Sequence, residues 1–262
     1  MLRQRILSAL VLAPVAIAAA WAGGWAFVSL AMLASVLLAW EWERLCLGRF
    51  GAGGVVLAVM AVACSALGQT DASTSLWVIS GAAVAAPLIR RVPGRSPLWL
   101  GFGALYIGLP TVSLVWLRTL GGETLFWLML LVWATDIGAY AAGRTIGGPK
   151  IWPRVSPKKT WAGLIGGVVS AALVGWGMSL WLGHDHGPDA LLLVGLSGVL
   201  AVVAQAGDFA ESWVKRHFGV KDSSNIIPGH GGVFDRLDGL LATAPVVAAL
   251  CLAFGGGLPL WR

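Results

Sequence analysis

The chain reads as an all-α, polytopic integral membrane protein with about nine transmembrane helices, on three observations. It is 58% hydrophobic and only 11% charged, too little polar surface for a water-soluble domain. Apolar runs of about 15 to 22 residues recur along the whole chain, near the roughly 20 that carry a helix across ~30 Å of hydrocarbon. These runs are continuously apolar, whereas the strands of a lipid-facing barrel alternate.

The first run, 6–22, follows Arg3 and Arg5 and ends among Ala18, Ala19 and Ala20. A cleaved signal peptide has a similar look; the run reads here as a retained anchor. A break at Gly23 and Gly24 leads into the second run, to residue 40. The third and fourth, 53–68 and 75–89, flank a short segment from Gln69 to Ser75, and a turn from Arg90 to Pro97 precedes the fifth, 98–117. These connections are chemically plain, so residues 1–122 read as an N-terminal transmembrane scaffold. The remaining runs, 123–141, 161–182, 189–206 and 240–258, are interrupted by two longer polar segments, 142–160 and 207–239. Residues 123–262 therefore read as the C-terminal transmembrane catalytic region. No breaker separates the eighth run from GDFAESWVKRHFG, which predicts a helix continuing past the apolar stretch.

A formal charge of +6 raises nucleic acid as a partner, but the placement of the charges argues for topology instead. With the N-terminus inside and alternating spans, sixteen of the eighteen Lys and Arg residues are cytoplasmic; Arg118 and Arg262 are the exceptions. That is the positive-inside pattern. Cys46, Cys64 and Cys251 have neither CxxC nor metal-site spacing and read as packing residues.

Six of the twelve acidic residues, Asp136, Asp208, Glu211, Asp222, Asp235 and Asp238, border the two polar segments. Asp136 lies within an apolar run, where an ionisable group needs a cavity, a cation or a partner. An ion pair with Arg144 and a direct role in a site are both open readings. Small residues around it, Gly138, Ala139, Ala141, Ala142 and Gly143, permit close helix packing. At helical spacing Asp208, Ser212 and Lys215 share a face, with Glu211 beside them. Asp235 and Asp238 are one turn apart where the ninth helix starts, and its dipole favours them there. Two such clusters suggest oxygen ligands for a divalent cation, with a plain Asp208–Lys215 ion pair as the alternative.

Between the clusters runs KDSSNIIPGHGGVFDRLDG, Lys221 to Gly239. Gly229, Gly231 and Gly232 would allow positive φ and close approach to an anion. Lys215, Arg216, Lys221 and Arg236 flank the loop and can neutralise phosphates, as can Lys158 and Lys159 at the mouth of the seventh run. His230 reads as a phosphate contact. The stretch Gly143 to Lys150 is not a P-loop, because Pro149 and Lys150 stand where that motif needs Lys and then Ser or Thr. His184 and His186 fall on the opposite side and read as a solvated loop.

Ser212-x-Val214-Lys215-Arg216, Lys221-Asp222 and Pro228-x-His230-Gly231-Gly232-x-x-Asp235-Arg236-x-Asp238 together resemble the C-terminal signature of the phosphatidate cytidylyltransferase (CDP-diacylglycerol synthase) family. The blocks DIGAYAAGR (136–144), SPKKTWAG (156–163) and Gly207-Asp208 resemble it too, with Ala162 where relatives commonly carry Glu. The specific likeness covers roughly residues 130 to 240. It implies attack of the phosphatidic acid phosphate on the α-phosphorus of CTP, pyrophosphate release, Mg2+ with room for a second cation, and a homodimer. It further implies Lys215, Arg216, Lys221, Asp222 and Arg236 as catalytic, and Lys158, Lys159, Ser212, His230, Gly231 and Gly232 as substrate-binding. Asp208, Asp235 and Asp238 become the metal ligands, with Asp136 and Arg144 as further candidates. The expected location is a bacterial-type inner membrane, with N-terminus and active site cytoplasmic. An ion-coupled transporter would instead place polar residues near mid-membrane in several spans, and a related enzyme could use another lipid phosphate.

Overall fold

A computed structural model describes residues 2–183 and 187–256, so His184 and His186 lie outside the described residues. The described chain holds nine helices and no strand: α1 (Leu2–Ala22), α2 (Gly24–Leu47), α3 (Ala52–Leu67), α4 (Ala72–Ile89), α5 (Leu98–Thr119), α6 (Gly122–Thr145), α7 (Trp161–Trp181), α8 (Pro188–His217) and α9 (Phe234–Ala253). Seven are long and apolar enough to cross a membrane, and Leu10–Ala22 and Ala52–Leu67 are shorter apolar helices. The fold is that of a polytopic membrane protein. As the unbroken sequence predicts, α8 continues to His217, while α9 starts at Phe234, ahead of its apolar run.

The chain divides into two compact units. The first comprises the described residues up to Gly122 together with Lys215–Leu237. Within it α2 packs on α3 and α5, α4 on α3 and α5, and α1 on α2. Trp42, 1% exposed, is surrounded by the rings of Trp99, Phe102, Tyr106 and Phe234, and its indole N–H donates to the Trp99 carbonyl at 2.7 Å. Such a residue is at home in a core because its polar atom is satisfied. The first turn of α3 has no capping side chain of its own. The buried Glu43 supplies one from α2, accepting from the amides of Gly51 (2.5 Å) and Gly54 (2.9 Å) and lying 3.4 Å from Arg90 Nε. At the other ends, Asp71 caps α4, its carboxyl lowered to about 2 by bonds from Ser73 and Thr74. Arg118 donates to the carbonyls of Ala20 and Trp21 at the end of α1, where a cation suits the helix dipole.

The second unit contains Glu123–Val214 and the described residues from Asp238 onward, hence α6, α7, most of α8 and most of α9. Small residues set its spacing. A Cβ on Gly138 of α6 would lie 2.6 Å from the Gly166 carbonyl of α7, and one on Gly166 would lie 2.7 Å from the Gly138 carbonyl. The two backbones approach as closely as glycine permits. Trp127 Nε1 on α6 donates to Ser197 Oγ on α8 at 3.0 Å, and Gln205 of α8 donates to the Leu164 carbonyl of α7 at 3.2 Å.

Candidate active site

In the second unit, α8 and α9 bring three carboxylates together. Asp208 and Glu211, three residues apart, project from neighbouring positions on α8, and Asp238 comes from α9. One oxygen from each lies within 4.8 Å of the others. Gly207 makes the approach possible, because a Cβ there would stand 2.8 Å from the Asp238 carbonyl. Glu211 is buried and the two aspartates are half-buried. Lys159 Nζ lies 2.5 Å from Asp208 Oδ2, Ser212 Oγ donates to Asp208 Oδ1 at 3.4 Å, and Asp238 Oδ1 accepts from the Gly239 amide at 2.8 Å. The charges of Asp208 and Asp136 both bear on Asp238, and Lys159 offsets them in part.

The position of Lys159 is set by its segment. A bridge between Lys150 and Thr160, together with bonds from Ile151 N to the Lys159 carbonyl and from Trp161 N to the Pro149 carbonyl, folds the chain back ahead of α7. Thr160 then caps α7 through the Gly163 amide. The Lys159 ammonium also sits 4.1 Å from the centre of the Phe209 ring, a cation–π contact. Lys158 is exposed. Three carboxylates converge in a partly desolvated place, and all the donors are hard oxygens. That chemistry fits a hard divalent cation.

In the first unit, the loop ahead of α9 is tied by two buried carboxylates. Asp235 Oδ1 accepts from Lys215 Nζ at 2.5 Å, and Oδ2 accepts from Ser223 N (2.9 Å), Ser223 Oγ (2.8 Å) and Gly232 N (2.8 Å). Glu41, from α2, accepts from Ser223 Oγ, Ser224 Oγ and the amides of Val233 and Phe234. Gly229 and Gly231 have φ of 78° and 84°, the left-handed region glycine tolerates. Gly232 is needed for a different reason: a Cβ there would meet Ser223 Oγ at 2.1 Å. Arg236 Nε donates to the His230 carbonyl at 3.2 Å, and Arg216 to the Val220 carbonyl at 2.7 Å. Lys221, Asp222 and Arg236 are exposed, His230 half-buried.

These arrangements differ from the sequence reading in three places. The acidic group joins Glu211, in place of Asp235, to Asp208 and Asp238. Asp235 is bound instead to Lys215, the residue expected to face Asp208; seven residues of helix rise about 10 Å, so a shared face does not bring those two side chains together. Of the glycines expected to let the loop backbone approach an anion, Gly232 has its amide taken by Asp235, and the nearby amides of Ser223, Val233 and Phe234 are likewise taken by the protein's own carboxylates. Arg144 turns to Tyr140, donating to its hydroxyl at 3.0 Å, and Asp136 is exposed. Glu41 and Glu43 were not singled out by the sequence reading, although WEWER puts two acids at the end of an apolar run, the same signal that marked Asp136.

A model described as the cytidylyltransferase family matches residues 3–254. The chain is similar to a phosphatidate cytidylyltransferase of Brucella suis biovar 1 (strain 1330), 37% identical over 265 residues that cover 97% of this chain and 93% of that protein. It is 40% identical over 274 residues to a phosphatidate cytidylyltransferase of Pseudomonas aeruginosa, covering 99% and 100%. With one of Staphylococcus aureus (strain COL) the match is 38% over 147 residues, 56% of each chain. The first two likenesses take in the N-terminal half, well beyond the region where motifs were readable.

Proposed function

This chain belongs to the cytidylyltransferase family, and on that premise we propose that it converts CTP and phosphatidate into CDP-diacylglycerol and pyrophosphate. A phosphate oxygen of phosphatidate attacks the α-phosphorus of CTP, the bond from that phosphorus to the bridging oxygen breaks, and pyrophosphate leaves. The observation that carries the reading at the level of residues is the group Asp208, Glu211 and Asp238 with Lys159 against it. A lipid phosphate and a soluble polyphosphate can meet only at the membrane–water boundary, and their combined charge needs compensation there.

Asp208, Glu211 and Asp238 would hold a divalent cation, magnesium by the hardness of the donors. Bound there, it would supply neutralisation of charge on the phosphate oxygens. Lys159 orients Asp208 and brings a fixed positive charge beside the carboxylates. Lys158, Lys221 and Arg236 are exposed and, with His230, are assigned to contact with phosphate oxygens, and Lys215 holds the loop through Asp235. For a reaction of this type the protein's contribution is positioning and electrostatics.

The active face is cytoplasmic, in an inner membrane of bacterial type, supported by the placement of sixteen of eighteen basic residues. A homodimeric assembly is part of this proposal, and its support is the family resemblance. Purified protein with magnesium and labelled CTP, offered phosphatidate, other lipid phosphates and diacylglycerol, tests the reaction. CDP-diacylglycerol and pyrophosphate should form from phosphatidate, and diacylglycerol should be inert because it lacks the attacking phosphate. Faster turnover of a different lipid phosphate would reassign the substrate.

A further inference from the structure

Glu41 is a buried carboxylate for which the reaction above has no use. It is 1% exposed, on a helix of the half that reads as scaffold, yet all four of its bonds go to residues more than 180 positions later. Oε1 accepts from Ser224 Oγ at 2.6 Å and Val233 N at 2.9 Å; Oε2 accepts from Ser223 Oγ at 3.1 Å and Phe234 N at 2.7 Å. The donors fall at the two ends of one loop: Ser223 and Ser224 open it, and Val233 and Phe234 close it. Asp235 repeats the closure alongside, through Ser223 and Gly232. Trp42, the next residue, packs against the Phe234 ring at 5.7 Å, which keeps Glu41 in register with the start of α9. A Cβ at Gly232 would stand 2.3 Å from Glu41 Oε1, so a side chain there would displace the carboxylate.

Glu41 meets two amides at the start of α9 that have no partner within the helix, and the helix dipole favours its charge. A cap alone would need only those two bonds. The other two, to the far end of the loop, make the carboxylate a clasp. Lys221, His230 and Arg236 lie beside or within the clasped segment, with Arg236 bonded to the His230 carbonyl. We infer that Glu41 is a positioning residue that clasps the loop of residues 223–234, so that His230 within it and Lys221 and Arg236 at its two ends meet a substrate phosphate already ordered. Without the clasp, that ordering would be drawn from substrate binding. The inference rests on the proposed reaction for its substrates, not for its geometry.

Glu41→Gln tests it. Glutamine keeps the shape but sets an NH2 against an N–H donor, opening one side of the clasp. The KM for CTP or for phosphatidate should rise on the order of tenfold while kcat per folded enzyme stays within about threefold, because only ordering is lost. Which KM moves identifies whose phosphate the loop meets. Unchanged values for both would reduce Glu41 to a structural cap and overturn the inference. Amide hydrogen exchange over residues 224–232 supplies a readout without turnover: in the substrate-free variant it should accelerate, and exchange equal to wild type would also overturn the clasp. If Glu41→Gln does not fold, Ser224→Ala removes one bond and should give the same changes, smaller; no change in either measurement overturns the proposal. Should wild-type protein use neither substrate, the reaction would fall and the exchange experiment would still decide the clasp.

Discussion

Asp235→Asn separates an ion pair from a metal ligand. The Asp235 side chain and Lys215 are both buried, at 8% and 7% exposure, and the carboxylate accepts one ammonium, two amide or hydroxyl donors from Ser223 and one amide from Gly232. Asparagine keeps one acceptor and turns an NH2 toward either the ammonium or the loop amides, so a donor faces a donor. The Lys215 ammonium loses its bond to the Asp235 carboxylate. Removing one partner of a buried pair costs about 3–5 kcal/mol; at about 2–4 °C per kcal/mol for a chain of this size, the unfolding midpoint should fall on the order of 10 °C. Adding Lys215→Met removes the ammonium that Asp235 paired and should restore part of the loss, a coupling of roughly 2 kcal/mol. The measurement is survival of the monodisperse peak of detergent-solubilised protein after heating, for the four combinations, with the magnesium dependence of turnover in parallel. A wild-type midpoint in Asp235→Asn, joined to a raised magnesium requirement, would refute the reasoning and make Asp235 a cation ligand.

Asp208→Asn, Glu211→Gln and Asp238→Asn should each raise the magnesium needed for half-maximal activity by about 10–100-fold and weaken Mn2+ binding measured by electron paramagnetic resonance; Glu211→Gln with wild-type affinity would remove Glu211 from the site. Gly138→Ala should destabilise the packing of α6 on α7 by about 1–3 kcal/mol, because its Cβ would fall 2.0 Å from Ser170 Oγ and 2.6 Å from the Gly166 carbonyl; an unchanged melting midpoint would mean these helices sit farther apart. Single cysteines at Lys158 and Asp222 should react with an impermeant maleimide only in inside-out vesicles, and labelling in intact cells would invert the topology.

The sequence alone determined what depends on the local environment of a residue. The helices were readable because lipid forces every backbone group to bond within its own segment, so apolar length translates directly into spans. Asp208 and Asp238 were readable because a carboxylate beside hydrocarbon is costly enough to require a reason. Tertiary structure decided which partner each carboxylate found. A period of 3.6 says that Asp208, Glu211 and Lys215 lie on or beside one face of α8, but not which residue of another element that face meets. Asp238 met the acids of α8, and Asp235, three positions earlier, met Lys215 and the loop amides instead. Glu41 was out of reach for the same reason. Its partners are 182 to 193 residues away in the chain, and no spacing rule spans that distance; only packing, which seats Trp42 against Phe234, brings the acid to the loop it holds.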